Sequence, residues 1–325
     1  MKVALLEEYG GIPEVAEADV PLPGDGESLI KVSFASLNPV DLRIAAGNFY
    51  SGSPNLPYVP GSEGVGTVVN SSNRPEGSRV RFGSARPGAF AEYVVASEPS
   101  LLEIPDGLPE EDAATLGVPG IAAYLSLVDA AGFVQGERVA VLGATGVAGS
   151  VATQLAAILG AGSVVALGRN ADVLKHVTQL ARKSSDVCSY VLLDNKPAEL
   201  LAKEIVEAAG GPVDVVIDPL WGTPALAALL ALNKGGRLVN LGESAGSELS
   251  VPSALLRSKQ AKILGYSNFG VPLDRHNEAL SVLMNYVLEG KLEVSHSIFG
   301  ISSIGEAWTI QRGSPGRKLL ISPVA

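Results

Sequence analysis

An apolar run that ends in a glycine-rich loop and resumes as a helix constrains a chain tightly. Here Val139-Ala-Val-Leu142 runs into Gly143-Ala144-Thr145-Gly146-Val147-Ala148-Gly149, and Val147, Val151, Leu155 and Ile158 then fall on one helical face. The glycines allow a tight turn, and the helix start offers unpaired N–H donors and a positive dipole end, which together suit an anion. The spacing is G-x-x-G-x-x-G rather than G-x-G-x-x-G, so in isolation the loop could equally be a plain tight turn. Its weight comes from its setting. Five strand-like apolar runs, Arg138–Leu142, Ser163–Leu167, Tyr190–Leu193, Val213–Ile217 and Arg237–Leu241, alternate with helical stretches that include 147–159, 198–209 and 224–232. Continuous apolar strands separated by helices predict a parallel sheet covered on both faces. This is an α/β, doubly wound nucleotide-binding (Rossmann) architecture.

The second run ends Val164-Val-Ala-Leu-Gly168-Arg169-Asn170. An acidic residue about 20 positions beyond the loop would bind the ribose 2′-hydroxyl of NAD. An arginine there suits the 2′-phosphate of NADPH instead, by charge and by its planar fork of donors; the other reading is a solvated surface arginine. The expectation is therefore NADPH, held by Gly143, Ala144, Thr145, Gly146, Val147 and Ala148 and by Gly168, Arg169 and Asn170. Lys175 either adds charge or is simply exposed.

Ahead of this region the pattern differs. The runs 28–35, 64–70, 78–82 and 89–95 are short and separated by Pro and Gly, which suits a partly closed β unit, with a helix expected over 110–116. The tail from about 262 adds a helix over 278–288 and a last strand over 318–321. The net charge of −10 and the lack of any Lys/Arg cluster argue against nucleic acid as a partner. No 18-residue apolar stretch lacks charges and breakers, so no membrane span is expected. The first ten residues read as a strand and a turn rather than a signal peptide, and a single cysteine, Cys188, excludes an intrachain disulfide framework. A cytoplasmic location is the default expectation.

Five segments carry a family resemblance: Ser36-Leu-Asn-Pro-Val-Asp41, Val59-Pro-Gly-Ser-Glu-Gly-Val-Gly66, Gly88-Ala-Phe-Ala-Glu-Tyr-Val94, Leu142-Gly-Ala-Thr-Gly146 and Gly235-Gly-Arg-Leu-Val-Asn-Leu-Gly242. Over nearly its full length the chain resembles the zinc-free quinone oxidoreductase branch of the medium-chain dehydrogenase/reductase superfamily. The resemblance implies a GroES-like, β-rich catalytic domain from 1–118 and 262–325, a Rossmann domain from 119–261, and self-association as a homodimer or homotetramer. Zinc-dependent relatives carry a histidine where this chain has Ser62, and no cysteine lies near Asn38. His176, His276 and His296 have no ligand spacing, so no metal is expected. Cys188, beside an apolar strand, reads as a buried or incidental thiol.

Without zinc, the chemistry the resemblance implies is reduction of an enone, an enoyl thioester or a quinone. Charge then develops on a carbonyl oxygen, and that oxygen needs hydrogen-bond donors and a proton. The catalytic candidates are Asn38, Asp41 and Tyr50. Asn38 is either an amide donor or a turn residue before Pro39. Asp41, an acceptor when ionised, orients the segment. Tyr50 is a proton donor or an aromatic wall, and is displaced by one position from the tyrosine of related enoyl reductases. Arg43 binds an anionic group or faces solvent. Leu241, Gly242 and Glu243, with Tyr266 and Ser267, are expected beside the nicotinamide. Lys318 is expected near the cofactor or as a surface cation. A non-catalytic NADPH-binding protein is the alternative of a different class.

Overall fold

The computed structural model describes residues 1–323. The chain divides into two compact units, Met1–Val118 with the tail from Val294, and Pro119–Glu293.

The second unit is built on six parallel strands: β1 (Arg138–Val141), β2 (Ser163–Gly168), β3 (Cys188–Leu192), β4 (Val213–Asp218), β5 (Leu232–Asn240) and β6 (Lys262–Gly265). Their order across the sheet is 3-2-1-4-5-6. The chain reverses direction of travel between β1 and β4, and ligands of such sheets lie at the carboxyl ends of the strands at that point. Val139–Val141, Val164–Leu167 and Val215–Ile217 are all fully buried on both faces, which is why these strands read as unbroken apolar runs instead of alternating ones. The crossovers include α1 (Val147–Ile158), α2 (Ala171–Arg182), α3 (Ala198–Ala209) and α4 (Gly222–Ala231). In α1 the buried face centres on Val151, Ala152 and Leu155, while Val147 and Ile158 are only half-buried.

Residues 262–293 fall in this unit, not with the tail as the sequence suggested. β6 pairs in register with β5, Arg237 opposite Lys262 and Asn240 opposite Gly265. As an edge strand with mostly exposed side chains, it lacks the apolar signature of the other five.

In the first unit the long strand Glu27–Leu37 is central. It pairs antiparallel with Glu63–Ser71, Tyr93–Ser97 and the tail strand Lys318–Ser322. The expected run 89–95 becomes strand only from Tyr93. Ala89 and Phe90 form a buried loop whose N–H groups donate to Gly61 and Pro60 carbonyls. Phe82, Phe90 and Trp308 anchor the core. Strand register sets one further neighbour: Leu319 sits opposite Leu37, so Lys318 arrives beside Asn38. Among the described residues no helix is long and apolar enough to cross a membrane.

Candidate functional site

In the second unit, β1 delivers the glycine loop to the carboxyl edge of the sheet. Gly143 has φ +62°, a conformation that disfavours any side chain. Its carbonyl accepts from Gly146 N–H at 2.9 Å, and Ala144 N–H donates to Leu167 O at 2.8 Å, tying the loop to β2. A Cβ on Gly149 would run into Gly143 O and come within 2.8 Å of Ala144 Cα, so only glycine lets α1 begin this close to the loop. Gly146 caps α1 with no side-chain acceptor for its first N–H groups. Thr145, Gly146, Val147 and Ala148 are half-buried around this cradle. Gly168 ends β2 against Thr145, where a Cβ would stand 2.5 Å from Thr145 Cγ2.

Arg169 follows at the same edge and is exposed. Asn170 caps α2, its Oδ1 accepting from Asp172 and Val173 N–H at 3.0 and 3.2 Å. Its carbonyl oxygen is thus committed to the helix. Lys175 pairs with Asp172 at 3.5 Å.

On the other side of the reversal point, the loops after β4 and β5 are knitted together. Asp218, fully buried, accepts from Leu220 and Trp221 N–H, each at 2.9 Å, and from Asn240 Nδ2 at 3.2 Å. Burial still outweighs these donors and raises its pKa. Leu241 N–H donates to Asp218 O at 2.7 Å, and Asn240 Nδ2 reaches Gly242 O at 2.8 Å. Glu243 continues that loop. Tyr266 N–H donates to Asn240 O at 3.0 Å, its hydroxyl donates to Asn268, and Ser267 caps the next turn. Thus the loop 143–148, 168–170, 241–243 and 266–267 share one edge of one sheet. Asp218 and Trp221 join them there unanticipated. The signal was an acid followed by proline at the end of an apolar strand.

Lys318 lies in the first unit, 2% exposed, with Nζ donating to Asn38 Oδ1 and standing 3.6 Å from Glu63 Oε1. The reading of a surface cation gives way to a buried one, because strand register brings Lys318 to Asn38.

Around Lys318 is a buried polar cluster. Glu63 (3% exposed) pairs with Arg81 and accepts from Asn38 Nδ2 at 3.1 Å and from Val118 N–H at 2.9 Å. Burial would raise the Glu63 pKa, but Arg81 and Lys318, with those hydrogen bonds, hold it below its ordinary value. Lys318 is pushed down by burial against the opposing pull of Glu63 and Asp41. Asn38 Nδ2 also donates to Ser36 O at 3.3 Å. Both amide hydrogens are therefore spent inside the protein, which corrects the reading of Asn38 as a direct donor to substrate. Asp41 sits at the first turn of the helix Pro39–Ala45, 2% exposed. Its Oδ2 accepts from Asn38 N–H at 2.8 Å and its Oδ1 from the Ser62 hydroxyl. Burial lifts it to about 6 despite Ser62, Asn38 and Lys318.

Tyr50 is not drawn into the cluster. It is 74% exposed, its ring 4.3 Å from that of Phe49. Ser62, Arg81 and Tyr58 belong to the cluster or its border and were not singled out as functional. Arg81 gave no signal, since its strand is buried on both sides. Asn38 and Ser62 offer a neutral amide and a hydroxyl, and Glu63 is already engaged by Arg81 and Lys318, a donor set that does not match the His and Cys ligands zinc takes. Among the described residues no group of three or more His, Cys, Asp or Glu could hold one.

Two family models match the chain: the alcohol dehydrogenase GroES-like domain over residues 24–106 and the zinc-binding dehydrogenase over 147–284. A mouse (Mus musculus) quinone oxidoreductase is 30% identical over 82% of this chain and 80% of its own. The quinone oxidoreductase from Thermus thermophilus, solved also in complex with NADPH, is 26% identical with a TM-score of 0.82, covering 99% of this chain and 100% of the other. An NAD-dependent alcohol dehydrogenase is 25% identical with a TM-score of 0.86, covering 99% of each chain.

Proposed function

The chain belongs to the quinone oxidoreductase branch of the medium-chain dehydrogenase/reductase superfamily, and from that we propose that it reduces a quinone, or a C=C bond conjugated to a carbonyl, with NADPH and without zinc. Its class, an oxidoreductase using a nicotinamide cofactor, follows from the family. Self-association as a homodimer or homotetramer is part of the proposal.

The observation that carries the cofactor choice is Arg169, an exposed guanidinium immediately after β2, at the carboxyl edge that also bears the glycine cradle. In this reading the N–H groups at Gly146–Ala148 hold the pyrophosphate, and Arg169 and the remaining donors of Asn170 take the 2′-phosphate. Leu241–Glu243, Tyr266 and Ser267 border the nicotinamide half largely through backbone groups. When bound, NADPH supplies the hydride. The Glu63–Arg81–Lys318 cluster holds Asn38 and Asp41 in place, and Tyr50 is kept as a wall of the acceptor site. Among solved relatives, both an NADPH complex and an NAD-dependent enzyme occur, so Arg169 is the position to test. Arg169→Asp is expected to lower the preference for NADPH over NADH by at least about tenfold, or about 1.4 kcal/mol. Titration of each cofactor by calorimetry checks it, and an unchanged ratio of dissociation constants refutes the assignment.

A further inference from the structure

Ser62 is half-buried where the segment Pro60-Gly61-Ser62 enters the strand Glu63–Ser71. Its backbone is pinned, the Ser62 carbonyl accepting from Ser84 N–H at 3.0 Å. Its hydroxyl donates inward to Asp41 Oδ1. Asp41 is enclosed, and Ser62 is the partly exposed group bonded to its carboxyl.

We infer that Ser62 and Asp41 form a proton-delivering pair, in which the Ser62 hydroxyl is the catalytic group that protonates the acceptor oxygen and Asp41 is the positioning acid that refills it. The inference rests on the proposed reductase reading and supplies the proton donor that reading lacks.

The geometry makes the pair reversible. While Asp41 is ionised, the Ser62 hydrogen points at Oδ1. When Asp41 carries a proton on Oδ1, that O–H donates to Ser62 Oγ and the Ser62 hydrogen is free to point outward. Asn38 has no such freedom, since both its amide hydrogens are spent. The charges around Asp41 permit the neutral form. Glu63 faces it beside Ser62, and Lys318 faces it from the tail strand, but Lys318 is shared with Glu63 and Asn38, and Arg81 from its own strand is paired with Glu63. Tyr58 stands in the segment before Pro60. Its buried hydroxyl has no hydrogen-bond partner among the described residues, and its pKa is pushed up to about 12 by burial first and then by the charges of Asp41 and Tyr9. Among these groups no cation is dedicated to Asp41, and burial dominates, lifting it to about 6, where an acid can deliver a proton near neutrality.

The step balances. The acceptor takes up a hydride supplied by NADPH and one proton. The Ser62 O–H bond breaks as the proton passes to the acceptor oxygen, and the Asp41 O–H bond breaks as its proton moves to Ser62 Oγ. Asp41 is left as a carboxylate, and solvent restores its proton through Ser62 after product leaves.

Two readouts on the full-length protein test it. In the protein without cofactor, infrared difference spectroscopy should show a protonated-carboxyl C=O band titrating with a midpoint near 6, absent in Asp41→Asn and moved to higher pH in Ser62→Ala, which removes a donor to the carboxylate. In turnover with NADPH and 1,4-benzoquinone, kcat/KM of wild type should fall with unit slope above that midpoint. Ser62→Ala should be at least about tenfold slower with a flat profile, and Ser62→Thr, which keeps the hydroxyl, should recover the slope. A carboxyl band that titrates alike in wild type and Ser62→Ala, or a wild-type pH profile in Ser62→Ala, overturns the pair even while NADPH is still oxidised. Loss of NADPH oxidation from wild type, with the linked titration intact, overturns the reductase reading and leaves the coupling of the two groups standing.

Discussion

Glu63 shows how one residue can organise a site without touching substrate. Its two oxygens gather a guanidinium, an ammonium, an amide and a backbone N–H, each from a different part of the first unit. Taking two cations and an acid out of water is costly, and the arrangement is stable only while every partner is present. Glu63→Gln leaves Arg81 and Lys318 buried against a neutral group and should cost about 3–5 kcal/mol, read as a lower urea midpoint with an unchanged slope. A loss below about 1 kcal/mol would mean the cluster is hydrated or rearranges. At this scale the sequence was only partly legible. Asn38 and Asp41 stood out because Asn-Pro-Val-Asp is a recognisable segment, yet their partners come from Glu63, Arg81 and Lys318. Those contacts depend on strand register across 280 positions for Asn38–Lys318, and local pattern carries no register of that kind.

At the scale of elements, the turn after β4 holds a strained residue of the second unit. Trp221 has φ +60° and ψ −162°, a region used almost only by glycine, at a cost of about 1–3 kcal/mol. Asp218 holds it there through the N–H groups of Leu220 and Trp221, and Ala245 N–H completes the link by donating to Leu220 O at 2.8 Å. Asp218→Ala removes the acceptor and frees the turn. The expected result is a loss of about 2–3 kcal/mol in stability, together with weaker NADPH binding at the carboxyl edge. Thermal unfolding with and without NADPH checks both, and a stability change without any change in the NADPH-induced shift would limit Asp218 to a structural role. β1, β2 and β4 were legible because burial on both faces writes itself as an unbroken apolar run, whereas β3 and β5 carry exposed positions such as Tyr190 and Lys234 within shorter apolar stretches. α2 and β6 lack that signature. α2 puts charged residues among its apolar ones over an exposed face, and β6 is an edge strand with exposed residues.

For the whole molecule, the buried polar cluster of the first unit makes stability depend on pH in two directions. Asp41 is lifted from 3.8 to about 6, so the native state binds its proton more tightly than the unfolded chain does. Its contribution is fully present below about pH 4 and is lost as pH rises through about 6, a change of about 3 kcal/mol. Glu63 is lowered from 4.5, so its contribution is present above that value and is lost as pH falls below it. Asp41→Asn should therefore flatten the decline between about pH 4 and 6 while keeping the acid limb, as read from urea midpoints across that range. A variant that declines like wild type would place the titrating group elsewhere. Each unit has its own core, and the order 3-2-1-4-5-6 was foreseen as a class rather than strand by strand. The chemistry assigned to that frame is most directly tested by NADPH oxidation with EDTA present, using 1,4-benzoquinone and a simple enone as acceptors and NADH as the competing donor. Stoichiometric formation of hydroquinone or saturated ketone, with kcat/KM for NADPH at least about tenfold above that for NADH, is the expected result. No acceptor-dependent oxidation, or oxidation that disappears with EDTA and returns with zinc, would contradict it.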